Sequence, residues 1–228
     1  MSKGICLCSG GLDSSLALIK LLEAGHSVTP MFADYNQWPV EDERSSIERV
    51  WQWCSDNKLS KGLDGLAEVK IGYIDESDKI GSVWGRGIAL TGIAAMWAYT
   101  HGDDYDFIAL GNHEGDVGPD CRPGEFDETL DILLRQSTKN RMHIELPVRN
   151  LTVEQIGIEL NERGIDFSKM YSCYWSPFCG YRSTNDKYEC PGCRRKRTAM
   201  KAAGIVDIDM PNGEKRSYQS KLAAKLDY

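Results

Sequence analysis

Three observations predict an α/β fold with a doubly wound, parallel sheet of five strands. Short apolar segments alternate five times with segments of helical periodicity, which is the order of elements in parallel sheets. A glycine pair joins the first apolar segment to the first helical one, as at a ligand-binding edge. The chain has 228 residues, 41% of them hydrophobic, which is enough for one well-buried domain. We therefore expect one α/β domain with at most a small appendage.

The individual elements follow from the apolar pattern, taken in chain order. The predicted strands are residues 4–8, 26–33, 67–74, 107–110 and 142–146. The predicted helices run from a capping Ser14 or Ser15 to Ala24, and over residues 43–57, 85–100, 126–136 and 152–163. The helix at 85–100 is apolar on nearly every side, which predicts that it is buried in the core. Cys54, on the apolar face of the second helix, is expected to be a core residue.

The segment that joins the first strand to the first helix is typical of a nucleotide phosphate site. Glycines permit close approach to a ligand, and the helix N-terminus directs free N–H groups at an anion. The alternative is a plain turn. Ser9-Gly10-Gly11-Leu12-Asp13-Ser14 resembles the Ser-Gly-Gly-x-Asp-Ser pyrophosphatase loop of enzymes that split ATP into AMP and pyrophosphate. The ATP-binding residues expected here are Cys8, Ser9, Gly10, Gly11, Leu12, Asp13, Ser14 and Ser15.

Three further segments are expected at the same edge, because parallel sheets bind ligands at the carboxyl ends of their strands. Asp34-Tyr35-Asn36-Gln37 ends the second strand, and Arg86 lies in a loop that again follows a strand. A cation at Arg86 would neutralise ATP phosphate, and an ordinary surface arginine is the alternative. Residues 111–124 form a polar loop too long for a plain connector, which indicates a binding role.

The charge distribution argues against several functional classes. The net charge of −7 makes nonspecific binding to a polyanion unfavourable. From Cys173 onward there are 11 Lys/Arg against 6 Asp/Glu, a net of +5, compared with −12 before it, which indicates a separate C-terminal module. Met1-Ser2-Lys3 leads directly into the first strand, without room for a signal peptide, and no apolar run approaches a membrane span. We expect a cytoplasmic protein with domains at 1–170 and 171–228, and neither a membrane nor a nucleic acid as partner.

Four of the eight cysteines, Cys173, Cys179, Cys190 and Cys193, lie close together in the sequence. Two thiolates separated by two residues can bind one tetrahedral ion, and four sulfurs complete the coordination of zinc. A complete sphere has no position for water, so the sequence predicts a small C-terminal zinc knuckle with a structural ion. A thioredoxin-type redox pair is the alternative, but it leaves two of these cysteines unexplained.

A basic run, Arg194-Arg195-Lys196-Arg197, follows the last of these cysteines. Because a tetrathiolate zinc site carries negative charge, we interpret the run as electrostatic support on a solvated helix face. Nucleic-acid binding by this run is the sharper alternative.

These motifs, in this order, resemble the 7-cyano-7-deazaguanine synthase family from the first strand to about Ala203. The further matching segments are Asp34-Tyr35 with Gln37, Gly85-Arg86, Gly111-Asn112, Pro119-Asp120-Cys121-Arg122 with Phe126, Pro147, and Ser172-Cys173-Tyr174. The resemblance implies an adenine nucleotide alpha hydrolase-like fold, a homodimer, and the use of ATP to turn 7-carboxy-7-deazaguanine and ammonia into 7-cyano-7-deazaguanine. The expected cofactors are Mg²⁺, with ATP, and a structural Zn²⁺.

The implied reaction suggests roles for individual residues. A carboxylate is a poor electrophile, so ATP first converts it to an acyl adenylate; ammonia then gives the amide, and a second adenylation leads to the nitrile. Asp13 is expected to hold magnesium or order the loop, Arg86 to stabilise phosphate charge, and Arg122 to pair with the substrate carboxylate or carbonyl. The other expected contacts are Tyr35, Gln37 and Asp120 with the substrate, and Asp34 and Gly111 with ATP.

Several positions depart from the family pattern, and they leave alternatives open. The departures are Asn36 for a glycine, Trp38-Pro39 where a histidine is usual, Gly87 for an asparagine, and Val153 for a lysine that Arg149 or Lys139 would have to replace. The alternatives are a paralogue that stops at the amide or joins the activated acid to another amine, a transfer-RNA thiolation or amidation enzyme, and a zinc protein that binds a nucleotide without catalysis. The negative charge of the first half counts against the thiolation enzyme.

Overall fold

Strands and helices alternate along the chain in the computed structural model of the protein. The strands are β1 (Lys3–Leu7), β2 (Ser27–Asp34), β3 (Ala67–Lys70), β4 (Phe107–Ala109) and β5 (His143–Glu145). The helices are α1 (Leu12–Glu23), α2 (Val40–Asp56), α3 (Arg86–Thr100), α4 (Glu125–Ser137), α5 (Val153–Glu162) and α6 (Pro191–Ala202). The structure describes residues 1–37, 39–72, 85–102, 104–116, 124–166, 170–174 and 190–205.

The five strands form one parallel sheet in the order β3-β2-β1-β4-β5. Gly4 of β1 lies opposite Val28 of β2 on one side and Phe107 of β4 on the other. From β1, the chain adds β2 and β3 on one side of the sheet and then β4 and β5 on the other. The switch point of the sheet therefore lies between β1 and β4. The predicted doubly wound, five-stranded parallel sheet is confirmed.

Apolar side chains alternate between the two faces of the sheet and bury a separate core on each. On one face, α1, α2, α5 and α6 cover strand residues that include Cys6, Phe32 and Phe107. On the other face, α3 and α4 cover residues that include Ile5 and Ile108. Cys54 is fully buried in the first core, as predicted.

The start of α1 differs from the prediction. The helix begins at Leu12, directly after Gly11, and not behind a capping Ser14 or Ser15. The Ser14 hydroxyl instead accepts a hydrogen bond from the backbone N–H of Ser9, 3.3 Å away, so it holds the preceding loop and does not cap the helix.

Two other boundaries also differ. Helix α2 begins at Val40, three residues before the predicted start at 43, because Glu41, Asp42 and Glu43 all suit a first helical turn. Strand β3 ends at Lys70, whereas the prediction extended it to 74; residues 73 and 74 lie outside the described part of the chain.

The prediction that α3 is buried on nearly every side is wrong. Its buried side chains are Thr91, Ala94 and Ala98. By contrast, Ile88 is 50%, Met96 64% and Tyr99 73% exposed. Among the described residues, the sheet covers one side of this helix. The spacing of apolar residues shows which sides of a helix are apolar, but not which of those sides the rest of the chain buries. Within the described ranges, no helix combines the length and apolar character that crossing a membrane requires.

Candidate active site

A cavity of about 300 Å³ opens at the carboxyl ends of the strands, next to the β1/β4 switch point. Its walls come from the ends of β1, β2 and β4, from the first turns of α1, α2 and α3, and from residues 171–174 together with α6. Segments from opposite ends of the described chain therefore meet around one space. This is the position in which open parallel sheets bind ligands.

The loop of residues 9–14, called the glycine loop below, is fixed by backbone contacts. Gly10 has a φ of +75°, and a Cβ atom there would lie 2.5 Å from the backbone nitrogen of Ile47, so only glycine fits. The Ser46 hydroxyl donates to the carbonyl of Gly10 at 2.7 Å. Helix α1 begins without a side-chain cap, which leaves the N–H groups of its first turn for an anion in the cavity.

An acidic cluster with one imidazole lies at the α1 end of the cavity. His113 is fully buried; its Nδ1 accepts from the Gly115 N–H at 3.0 Å, so a neutral ring carries its proton on Nε2. That Nε2 lies 3.5 Å from Oδ1 of Asp116 and 3.9 Å from Oδ2 of Asp13. Burial raises the pKa of the Asp13 carboxyl to about 6, His113 and Arg195 oppose that rise, and the charge of Asp116 adds to it. Asp13 is therefore still mostly ionised near pH 7, and nearby positive charge favours its ionised form.

A hydrogen-bonded turn after β2 forms the other end of the cavity. The buried Gln37 accepts from the Tyr35 N–H at 2.9 Å and donates to the carbonyl of Ala33 at 3.0 Å and to the carboxylate of Glu43 at 2.8 Å. Arg86, at the start of α3, donates to the Tyr35 hydroxyl at 3.3 Å. Gln37 therefore fixes the turn that presents Tyr35 and Glu43, while Arg86 supplies a cation.

Three sulfurs gather beside the cavity and form the cysteine cluster: Cys173, Cys190 and Cys193, all within 4.8 Å of one another. The Cys173 and Cys193 thiols, with the N–H groups of Cys193 and Tyr174, surround the Cys190 sulfur and lower the pKa of that thiol well below its usual range. Three cysteine sulfurs this close together suit Zn²⁺, which binds cysteine as thiolate. The fourth predicted ligand, Cys179, lies outside the described residues.

Close contacts attach the cysteine cluster to the glycine loop. A Cβ atom on Gly192 would lie 1.8 Å from the carbonyl oxygen of Ser172, so α6 begins in direct backbone contact with residues 171–174. The Tyr171 N–H donates at 2.9 Å to the hydroxyl of Ser46, which itself donates to Gly10. One buried serine on α2 therefore connects the two regions.

The predicted solvated face of the basic run is wrong at Lys196. Its side chain is 2% exposed and donates to the carbonyl of Met170 at 2.6 Å. Burial lowers the pKa of Lys196 to about 8. The Arg194 and Arg197 side chains are exposed, whereas Arg195 points to the cavity. The run therefore has three different environments, which its uniform composition does not indicate.

The structure brings most of the predicted site residues together. Those that line the cavity are Cys8, Ser9, Gly11, Leu12, Asp13, Ser14, Tyr35, Gln37, Arg86 and Gly111. Gly10 and Ser15 lie behind this lining, and Asp34 forms an ion pair with Arg44 at 3.0 Å. Asp120, Cys121 and Arg122 lie outside the described residues.

Two of the departures from the family pattern have structural explanations. Asn36 has a φ of +65°, a conformation that asparagine tolerates nearly as glycine does. Val153 packs against the first core. Arg149 forms an ion pair with Asp127, and neither Arg149 nor Lys139 is among the described residues that line the cavity. The structure thus brings neither expected substitute for the lysine to the cavity.

Fold and site together define a class: a doubly wound α/β protein with a cysteine cluster beside its ligand edge. The family described as "Queuosine biosynthesis protein QueC" matches residues 3–204, and the chain belongs to that family. The resemblance predicted from the motifs is confirmed.

The chain aligns with nearly the whole length of relatives that are named as synthases. A 7-cyano-7-deazaguanine synthase from Sulfurovum sp. (strain NBC37-1) is 25% identical over 222 residues, which covers 90% of this chain and 96% of that protein. One from Thermoplasma volcanium is 28% identical over 225 residues, covering 90% and 89%. A solved structure, a predicted subunit of a tRNA methyltransferase from Methanocaldococcus jannaschii, has a TM-score of 0.38 at 14% identity over 75% of this chain and 92% of that one, too low to carry an argument.

Four residues of the site escaped the sequence reasoning. Ser46 and Glu43 lie on a helix that was predicted from its apolar face alone. Arg195 lies in a basic run that was interpreted as a solvated helix face. His113 stands within the long polar loop, where a signal was present: a histidine three residues before an aspartate, directly after a strand. In a long loop at the ligand edge, a histidine and an aspartate at this spacing indicate candidate site residues.

Proposed function

We propose that the protein converts 7-carboxy-7-deazaguanine and ammonia into 7-cyano-7-deazaguanine with ATP, through an adenylated acid and an adenylated amide. The observation that carries this proposal is one cavity lined by the glycine loop, Asp13 and Arg86, in a member of the QueC family. The names of the relatives support the choice of substrate and product.

The glycine loop would hold the β- and γ-phosphates through its backbone N–H groups and the N-terminus of α1. Asp13 offers a hard oxygen donor at that position, so the residues present fit Mg²⁺. Bound there, Mg²⁺ would neutralise phosphate charge. Arg86 would stabilise the charge that develops during transfer, and Tyr35 and Gln37 would contact the deazaguanine ring or fix the turn that contacts it.

In the first stage an oxygen of the substrate carboxylate attacks the α-phosphorus, and the bond from that phosphorus to the bridging oxygen breaks, which releases pyrophosphate. Ammonia attacks the acyl carbon, AMP leaves with the carboxylate oxygen, and a proton is lost to give the amide. In the second stage the amide oxygen attacks the α-phosphorus of a second ATP and displaces a second pyrophosphate. The carbon–oxygen bond of the adenylated amide then breaks, AMP leaves with that oxygen, and the nitrogen loses two protons to give the nitrile. No covalent intermediate with the protein is required.

The test is incubation with 7-carboxy-7-deazaguanine, ammonium and Mg-ATP, followed by mass analysis of the products. We expect the nitrile together with AMP and pyrophosphate. Asp13→Asn should reduce AMP formation at least about 100-fold, since it removes the charged oxygen donor proposed to hold Mg²⁺ at the phosphates. Asp104→Asn is the matched control, because that carboxylate is 60% exposed and pairs with Lys3 away from the cavity.

Other products would favour the alternatives. The amide as final product, or a larger adduct with a supplied amine, would support the paralogue. Absence of AMP with every amine would contradict both enzymatic proposals and leave nucleotide binding without catalysis.

The division into domains at 1–170 and 171–228 stays part of the proposal, and limited proteolysis near residue 170 would test it.

We also propose a structural zinc ion at the cysteine cluster, with Cys179 as fourth ligand. Three sulfurs within 4.8 Å support this. Metal analysis should give about one zinc per chain, because four thiolates hold a single tetrahedral ion. A folded protein that contains no metal as purified and takes up no zinc when zinc is added would contradict the proposal.

We further propose that the chain forms a homodimer through the exposed side of α3. Ile88, Met96 and Tyr99 are exposed there, and Arg86 is the only charged residue within the helix. A second copy can cover such a face without bringing like charges together. Met96→Asp should give a monomer in light scattering, whereas Ile158→Asp on α5, on the other side of the sheet, should leave the dimer intact. A monomeric wild-type protein would contradict the proposal.

A further inference from the structure

The cavity contains a cation that neither the glycine loop nor α3 supplies. Arg195 lies on α6 and lines the cavity. Among the described lysines and arginines, Arg86 is the only other one that lines it. The two arginines serve different ends of the cavity. Arg86 contacts Tyr35 in the turn after β2, whereas Arg195 lies 3.2 Å from the carboxylate of Asp116.

Several contacts place Arg195 at the phosphate end. Asp116 is 3.5 Å from His113, and His113 is 3.9 Å from Asp13 in the glycine loop. The backbone gives a second route: a Cβ atom on Gly11 would lie 3.6 Å from the carbonyl oxygen of Tyr171, in the segment that contacts the start of α6. The guanidinium is therefore close to where the α1 N-terminus would hold pyrophosphate.

The charge at this end requires such a cation. Asp13 and Asp116 both face the cavity, and two carboxylates repel the negative charge of pyrophosphate. Of the described lysines and arginines, Arg195 is the one shown to interact with both, as His113 also does: it pairs with Asp116, and its charge opposes the rise in the pKa of Asp13. Its side chain is 28% exposed, so it can reach a ligand.

The cysteine cluster determines where Arg195 points. Cys190 caps α6, and Cys193 lies within the first turn, half a turn before Arg195. On the facing segment, Tyr174 follows Cys173, donates its N–H to Cys190, and its hydroxyl lies 3.4 Å from the Arg195 guanidinium. An ion held by the three sulfurs would therefore fix both residues of this pair.

We propose that Arg195 binds the pyrophosphate part of the nucleotide, and that the metal at the cysteine cluster keeps it in position to do so. The inference rests on the proposed function only for the identity of the nucleotide, because pyrophosphate binding can be measured without catalysis. It assigns to α6 a contact with the ligand, in addition to its structural role beside the metal.

The test is calorimetric titration of the zinc-loaded protein with magnesium pyrophosphate, using wild type, Arg195→Met, Arg195→Lys and Arg194→Met. Loss of a charge-assisted contact should weaken binding about 10- to 100-fold in Arg195→Met, with part of the affinity recovered in Arg195→Lys. Arg194→Met is the matched control, because Arg194 is exposed one position earlier, and it should bind within about twofold of wild type. Zinc content and thermal unfolding establish that each variant is folded.

Removal of zinc from the folded protein tests the second part. Zinc removal should weaken pyrophosphate binding by wild type by a similar factor and should have little further effect on Arg195→Met. Equal binding by Arg195→Met and wild type, or no binding by wild type, would overturn the inference, and unchanged binding by zinc-free wild type would overturn the role of the metal. Failure to form AMP from the deazaguanine acid, with these binding differences intact, would contradict the proposed function alone.

Discussion

The glycine loop and the cysteine cluster contribute to the same cavity, but different interactions stabilise them. The glycine loop lies between β1 and α1, next to a helix with nine buried residues, and its geometry follows from one left-handed glycine packed on α2. The cysteine cluster joins a short segment, 170–174, to the start of α6 through sulfur atoms and backbone contacts. The first region is therefore set by the core of the sheet, whereas the second would depend on the metal ion proposed above.

The largest loss of stability is expected when the metal is removed from the second region, the cysteine cluster. Cys190→Ser removes the sulfur that the other groups of the cluster surround, so we expect loss of zinc and about 5 kcal/mol or more of the free energy of unfolding. Cys54→Ser is the control, since Cys54 is equally buried but in the core of the sheet. Metal analysis and denaturant unfolding of both variants measure the difference. Equal stabilities would show that the cluster does not depend on metal.

The next effect concerns the glycine loop. Gly10→Ala places a methyl group 2.5 Å from the backbone of α2 in a left-handed conformation, and we expect it to cost about 2–5 kcal/mol. Gly25→Ala tests the conformation alone, because Gly25 has a φ of +83° but no atom within 4 Å of the added methyl, and it should cost about 1–2 kcal/mol. Urea unfolding compares them. If the two variants are equally stable, close packing does not fix the loop.

A smaller effect is expected at the connection between the two regions. Ser46→Ala leaves the Gly10 carbonyl and the Tyr171 N–H without their shared partner, which should cost about 2–3 kcal/mol. It should also weaken pyrophosphate binding and zinc binding together. The exposed neighbour Ser45→Ala is expected to stay within about 0.5 kcal/mol of wild type. A change in only one of the two affinities would mean that the regions are independent.

The smallest effect lies outside both regions. Thr152 caps α5 in a reciprocal capping box with Gln155, and Thr152→Ala should cost about 1 kcal/mol. Because this cap contacts neither the cavity nor the sulfurs, pyrophosphate and zinc affinities should stay unchanged in calorimetric titrations. An effect on either affinity would argue that general stability, and not a specific contact, couples the two regions.

The sequence predicted the glycine loop well because its determinants are neighbours along the chain. An apolar strand, two glycines and a helix start suffice to place Asp13 in a ligand cavity. The parallel, doubly wound sheet was also accessible, since alternating strands and helices leave few topologies. What the sequence could not show depends on distant partners. The buried Lys196 donates a hydrogen bond to the carbonyl of Met170, and the Ser46 hydroxyl contacts two other segments of the chain. The sequence analysis also missed the exposed side of α3, because an apolar pattern does not show whether the chain itself buries every apolar side of a helix.

The contact between Gly192 and Ser172 has a consequence for the time at which the protein becomes able to bind its ligand. The glycine loop leaves the ribosome early, but Tyr174 and Arg195, which face it, are synthesised last among the cavity residues. At about 5–20 residues per second, the interval between them is on the order of 10–40 seconds. During that interval the nascent chain can form the strands and α1, but the cavity lacks a wall. If the cavity binds a nucleotide as proposed above, that binding begins only after α6 has been synthesised, and ribosome-bound chains stalled before α6 should not retain pyrophosphate.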